Sequence, residues 1–407
     1  MAQGNSDGSV QTSTALGGLL VLDLGQVYAG PYCTHLLRSL GATVIKVEPF
    51  GGEPIRWRSD EQTSGQAFLL LNSGKRGMRL NLKTAQGKSV FLDLVRHADV
   101  VVENFAPGVM ERLGIGWDVL RETKPSLILA SGRAYGDHAA ARGLRGMDVT
   151  VQAMSGIVST TGFPDDAPVK AGPAVVDFAA GSHLTSAVLA ALFQRERTGV
   201  GQHVEVAMQD AIVPSLTSNI AGMLEAAGDD FPERTGNRHG GLGICPYNIY
   251  RTSDGWLAIL CLRDSHWINL CRVMGRADLA DDHALSTPTG RVARMDEVDA
   301  AITGWTSVLD KDSAFRRLRD ADIPSAPVRS LAEVVDDPVL RDRGMIAEVG
   351  AGDRACTVFG SPLQMGDSPV PPTAPAPLLG EHTDEILRTL LGMSQDDVER
   401  LRDGGVV

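Results

Sequence analysis

From residue 19 to residue 207 the chain repeats one pattern: a short apolar run, a turn, then a stretch in which apolar residues recur at helical spacing. Residues 19–24 (LLVLDL) are too few for a buried helix and lack polar alternation, as expected of a strand covered on both faces. Residues 31–40 then read as a helix and residues 43–48 (TVIKVE) as a second strand, which makes a βαβ unit with parallel strands. The alternation continues through a strand at 77–82, a helix near 84–97, a strand at 99–103, a helical stretch through Trp117 and a strand at 127–131. A long helix is expected at 182–197, with Leu184, Ala187, Val188, Ala191 and Leu192 on one face and Thr198-Gly199 as its stop, before a strand at 202–207. Repeated βα units predict an α/β fold with a Rossmann-like, doubly wound large domain.

The periodicity fails at residues 226–243 (AAGDDFPERTGNRHGGLG), which are rich in Gly and charge. The expected organisation is a loose tail at 1–18, the large domain at 19–225, a linker with a glycine-rich loop at 226–243, a small domain at 244–322 and a C-terminal segment at 323–407. A hairpin is expected from 247–252, the Ser-Asp-Gly turn at 253–255, and 256–261. The proline-rich run at 368–377 (SPVPPTAPAP) reads as an extended strap, and residues 385–402 as amphipathic helix.

Fifty acidic against 38 basic residues leave a net charge of −12, so no global field favours nucleic acid or an anionic membrane. An anionic ligand needs a local basic site. The five cysteines form no CxxC pair and fit reduced thiols, hence a cytoplasmic setting. No secretion signal is expected at the start, and no window is expected to reach the apolar length of a membrane span.

Glu48, closing the second strand, invites a dinucleotide reading in which its carboxylate holds a ribose. The turn Gly25-Gln26-Val27-Tyr28-Ala29-Gly30-Pro31 lacks G-x-G-x-x-G, so a nicotinamide cofactor has no phosphate cradle. P-loop, HExxH and paired Cys/His patterns are also missing, so no metal is expected. Asp177 stands between an apolar stretch (AVV) and small residues (AAGS) before a helix. By itself such an Asp caps a helix or is solvated; the positive helix end would also keep it ionised, the state a carboxylate nucleophile requires.

The segments 19–48, 72–76 (NSGKR), 103–108 (ENFAPG), 175–181 (VVDFAAG), 198–210 (TGVGQHVEVAMQD) and 377–385 (PLLGEHTDE), in this order, resemble the class III coenzyme A transferases (CaiB/BaiF family). That family includes formyl-CoA transferase, carnitine CoA-transferase and related acyl-CoA racemases. The resemblance runs from about residue 16 to the C-terminus. It implies an interlocked, ring-like homodimer whose large domain is built from both chain ends, with a smaller α+β domain between. It also implies coenzyme A, as acyl-CoA substrate, and a small carboxylic acid as partners. Asp177 takes the role of the nucleophile that attacks the thioester, and Gly240 and Gly241 that of a loop covering the intermediate. Gln26 and Tyr28 stand where the family places active-site polar groups; the glutamine of formyl-CoA transferase falls at Tyr28, so either the phenol or Gln26 supplies the donor. Val27, Ala29, Lys75, Arg76, Asn104, Phe105, Arg112 and Arg145 match segments that hold CoA, and Pro49 replaces a basic residue. The racemases carry a His-Asp pair where this chain has Met147-Asp148, and Met147 cannot carry a proton. Racemisation, or acyl-CoA binding without catalysis, is the alternative reading. Arg238, His239 and Arg263 are candidates for meeting a second carboxylate of a dicarboxylic substrate.

Overall fold

The computed structural model describes residues 14–57, 64–141, 143–226 and 231–407. Most of the expected tail (1–13) and part of the expected linker (227–230) lie outside these residues. The described residues divide into two units, one formed by those up to 148, 174–211 and 336–407, the other by those within 149–173 and 212–335.

The first unit is built on six parallel strands: β1 (Leu20–Asp23), β2 (Thr43–Glu48), β3 (Arg76–Arg79), β4 (Val100–Glu103), β5 (Ile128–Arg133) and β6 (His203–Ala207). Their order is β3-β2-β1-β4-β5-β6, which places β1 and β4 at the centre, where a doubly wound sheet reverses direction and leaves a crevice at its carboxyl edge. Successive side chains go to opposite faces. Val21, Val44, Val102 and Ala130 pack under Cys33 and Leu37 of α1 (Ala29–Ser39) on one face. Leu22, Ile45, Val101 and Leu129 pack on the other face against Val90, Phe91 and Leu94 of α2 (Ala85–His97). The unit also holds the short helix α3 (Val109–Arg112), the start of α4 (Asp148–Met154), and α5 (Val175–Thr198), whose Leu184, Val188 and Ala191 join the α1 face.

Helix α5 starts seven residues before the position expected from its apolar stripe, so Asp177 lies inside its first turn rather than ahead of it. By length and composition α5 also passes the test for a membrane span, which corrects the expectation that no window does. Half of that window is buried, packed beside α1 and over β5 and β6 as a core helix is.

In the second unit, β7 (Tyr247–Arg251), β8 (Trp256–Leu260) and β9 (Ser325–Pro327) form an antiparallel sheet, the first two as the expected hairpin. Helices Asp264–Met274, Met295–Thr306 and Lys311–Asp320 cover it with Trp267, Leu270, Ile302 and Leu318 against Leu257 and Ile259. The unit is wider than residues 244–322: among the described residues 149–173, 212–226 and 231–243 cluster with it, and so do 323–335, which the sequence placed in the C-terminal segment.

The C-terminal segment adds the ribbon β10 (Ile346–Val349) and β11 (Cys356–Phe359) to the first unit. The proline-rich run is extended: carbonyls of Ala374 and Pro375 accept from Ser73 Oγ (2.5 Å) and the Gly74 amide (3.2 Å). Helix α6 (Thr383–Leu391) then buries Ile386 and Leu387 on the α2 face, and the Val406 carbonyl accepts from the Asn81 amide at 2.8 Å.

Candidate active site

The crevice is shaped first by the turn joining β1 to α1. Val27 has φ +62°, a conformation costly for a β-branched residue. Asn104, just after β4, clasps the turn: its Oδ1 accepts from the Gln26 amide at 2.7 Å and its Nδ2 donates to the Gln26 carbonyl at 2.9 Å. The Val27 amide donates to Glu53 Oε2 at 2.7 Å.

Asp177 occupies the third position of α5 and is 7% exposed. Sequence reasoning assigned it a carboxylate held ionised by the helix end. The structure corrects this: Asp148 Oδ2 accepts from the Val176 amide (2.9 Å) and from the amide of Asp177 itself (3.2 Å), so another carboxylate occupies that helix terminus. Burial first, and the charge of Asp148 second, push the Asp177 carboxyl up to about 7. Near neutral pH both forms are populated, which suits a group that attacks as the anion and leaves again. A folded-state value above the unfolded one means the native state holds the extra proton. Stability is therefore greatest at low pH and falls as pH rises from about 4 to about 7. Asp177→Asn is expected to stabilise the fold at pH 8 by on the order of 1 kcal/mol or more, seen as a higher melting temperature, and to leave it unchanged near pH 4. Paired thermal scans at the two pH values check this; an equal effect at both would sink the assignment.

Two adjoining cavities meet here. A cleft of about 570 Å³ is walled by Gln26, Val27, Ala29, Asn104, Phe105, Arg145, Met147 and Asp177 among others. A second, of about 290 Å³, shares Gln26, Phe105 and Val109 with it and is closed by Pro49 and residues 80–83 (Leu-Asn-Leu-Lys) at the end of β3. Its lining is mainly apolar, and the exposed Lys83 supplies a cation. Sequence reasoning missed residues 80–83. The signal was their place after a parallel strand on the carboxyl edge, where ligands of such sheets bind.

Not every expected residue reaches these cavities. Lys75 is corrected outright: its ammonium is buried and bonded to Asp23 Oδ2 (2.9 Å), Thr34 Oγ1 (2.7 Å), Asn72 Oδ1 (2.8 Å) and the Pro31 carbonyl (3.0 Å), which leaves no donor for a phosphate. Arg76 turns to Glu385 of α6 at 2.8 Å and lines neither cavity. Glu48 does line the second cavity, but its carboxylate is clamped by Arg56 through Nε (2.7 Å) and Nη2 (2.5 Å), so it holds an arginine, not a ribose. Tyr28 lies outside the cleft wall, its ring stacked on Phe178 at 6.0 Å, which leaves Gln26 as the member of that pair lining the cleft. Arg112 is exposed on α3, between Val109 and Leu113 of the second cavity wall.

Gly240 and Gly241 belong to the second unit, where a Cβ on either would collide with Asn219 or the Ser218 carbonyl. His239 organises that loop, its Nδ1 accepting from the amides of Gly241 (3.2 Å) and Gly243 (3.4 Å). Arg238 is neutralised by Asp296 (2.6 Å) and Asp299 (2.7 Å), which removes it as a carboxylate receptor. Arg263 is exposed beside a separate cavity of the second unit.

A buried carboxylate with a value near 7, in a cleft that adjoins a mainly apolar pocket with Lys83 in its wall, suits acyl transfer from an elongated thioester. Residues 16–383 match CoA-transferase family III. The chain is 41% identical to succinyl-CoA:mesaconate CoA-transferase of Haloarcula marismortui, over 92% of this chain and 96% of that one. It is 35% identical to formyl-CoA:oxalate CoA-transferase of Streptomyces coelicolor, over 97% of this chain and all of that one. A crystal structure of a CaiB/BaiF family protein from Brucella suis superposes with a TM-score of 0.82 at 32% identity, covering 93% of this chain and 100% of that chain. The chain therefore belongs to CoA-transferase family III and is an enzyme of that family.

Proposed function

We propose that this enzyme moves CoA between a short dicarboxylic acyl-CoA and a carboxylic acid through covalent intermediates on Asp177. The position and elevated value of Asp177 in the cleft carry the reading. Its ionised oxygen attacks the donor thioester carbonyl and expels CoA thiolate, leaving an aspartyl-acyl anhydride. The thiolate attacks the aspartyl carbonyl and releases the donor acid, leaving an aspartyl-CoA thioester. The acceptor carboxylate then attacks that thioester to form a second anhydride and free thiolate. Attack of the thiolate on the acceptor acyl carbon yields the new acyl-CoA and restores Asp177. The thioester's free energy is kept in covalent bonds throughout, so no nucleotide is consumed. Gln26, which lines the cleft, is assigned as the donor to the developing oxyanion, and burial limits hydrolysis of the anhydride.

The pantetheine arm would run through the shared mouth at Phe105 into the second cavity, where Lys83 in the wall, and Arg112 exposed beside it on α3, would meet phosphate. Arg145, in the cleft wall, is a third cation for the pyrophosphate. Arg112→Ala is expected to raise KM for acyl-CoA about tenfold with kcat near wild type, the loss of about one charge-assisted hydrogen bond; initial-rate kinetics read the split. The dicarboxylic preference is supported by three of the four substrates in the relatives' names, succinyl-CoA, mesaconate and oxalate, the fourth being formyl-CoA.

Racemisation is disfavoured because Met147, which lines the cleft, has no proton to give. In D2O the α carbon of recovered acyl-CoA is expected to stay protiated; deuterium entering without acceptor acid would support the racemase. We further propose an interlocked homodimer in the cytoplasm. It rests on the family resemblance and on five unpaired thiols, and predicts dimers in light scattering that exchange no subunits without unfolding.

The substrate reading is tested by incubating the purified enzyme with succinyl-CoA and isotopically labelled acids and following new thioesters by chromatography. Transfer to mesaconate or oxalate well above transfer to butyrate is the expected result. Preference for monocarboxylates would overturn it.

A further inference from the structure

We infer that Glu53, braced by Lys46, is a positioning residue for the transfer reaction: it holds Val27 in its left-handed conformation and so keeps the β1–α1 turn against Asp177. The inference rests on the covalent reading above. The turn supplies Gln26, Val27 and Ala29 to the cleft wall that contains Asp177, so a shift of its backbone changes the space in which the thioester sits. Left to itself Val27 would leave φ +62°, at which a β-branched side chain is strained. Something outside the turn must oppose that relaxation. Glu53 Oε2 accepts the Val27 amide at 2.7 Å, and Glu53 is 2% exposed, so little water competes.

Glu53 is itself held from several sides. Lys46, fully buried in β2, sets its ammonium 3.3 Å from Glu53 Oε1 and also donates to the Gly25 carbonyl, one residue before the clasped Gln26. The Glu53 amide donates to Glu48 Oε2 at 3.1 Å, and Glu48 is clamped by Arg56. Asp23, 4.0 Å from Lys46, accepts the Gly25 amide at 2.8 Å. Lys46 therefore braces the carboxylate that takes the Val27 amide and the carbonyl of Gly25, two points on either side of Gln26. Glu48 and Glu53 also line the second cavity, but no atom of this network has a part in the bond changes, which separates it from the nucleophile and its donors.

The test uses the full chain and four variants: Glu53→Ala, Glu53→Gln, Val27→Gly and the double Glu53→Ala/Val27→Gly. Hydrogen exchange of the peptide spanning residues 24–31 reads the turn, and the rate of covalent capture from acyl-CoA reads the reaction. Glu53→Ala is expected to deprotect that peptide and to slow capture by about 100-fold, the order of loss for a misplacement of about 1 Å. Glu53→Gln, which keeps an oxygen for the amide, retains most of the protection and reports even where Glu53→Ala folds poorly. Glycine adopts a positive φ freely, so the double variant is expected to capture at least about fivefold faster than Glu53→Ala. Unchanged protection in both Glu53 variants, or losses in the double variant that simply multiply, would overturn the inference. A wild type that captures no thioester would sink the covalent reading instead, and the exchange result would still decide the hold on Val27.

Discussion

Asp177→Ala is expected to lower CoA transfer by about 10⁴-fold or more, while CoA binding stays within about threefold of wild type. The asymmetry follows from the division of labour in the first unit. The side chains to which carrier binding is assigned belong to the turn after β1, the end of β3 and α3. The bond changes are assigned to one carboxylate at the start of α5. Removing it takes away all three covalent intermediates and leaves only direct exchange between a thioester and a weak carboxylate nucleophile. Initial rates and calorimetry on the same preparation check both halves. Activity within about tenfold of wild type would assign the chemistry elsewhere.

The rate should depend steeply on pH, and Asp148 should set part of that dependence. With the Asp177 carboxyl at about 7, the anion falls about tenfold per unit below that point, so transfer at pH 5 is expected at about one hundredth of the plateau. Substrate carboxylates with ordinary values near 4 stay ionised across this window. Asp148→Asn keeps an oxygen for the amides of Val176 and Asp177 but removes the neighbouring charge. The acid limb should then move down by about one unit, burial, the larger cause, being retained. Profiles of kcat/KM for both proteins decide it, and superimposable limbs would separate Asp148 from the ionisation of Asp177.

The parallel sheet was legible because its strands are buried on both faces and read as uninterrupted apolar runs; the second strand was placed at the residues it occupies, Thr43–Glu48. The start of α5 was not legible, since the group that takes its first amides, Asp148, lies 28 residues earlier in the chain. That distant contact also reversed the argument about Asp177: the helix end that would favour its anion is occupied by a like charge. Lys75 and Arg76 were misjudged for a related reason. A cation's residue type says that it needs an anion, but only the fold shows whether the anion is Asp23, Glu385 or a ligand. The second cavity went unseen because Leu80, Asn81, Leu82 and Lys83 carry no motif; their meaning comes from lying at the carboxyl edge beside the first turn.

The central claim, that Asp177 carries the CoA in transit, is tested most directly by mass spectrometry of the intact protein and its peptides after mixing with succinyl-CoA, with hydroxylamine as a trap. The account predicts a CoA or acyl adduct, and a hydroxamate after trapping, on the peptide containing Asp177 and missing from Asp177→Ala. Turnover by the same preparation with no adduct and no hydroxamate on that peptide would contradict it.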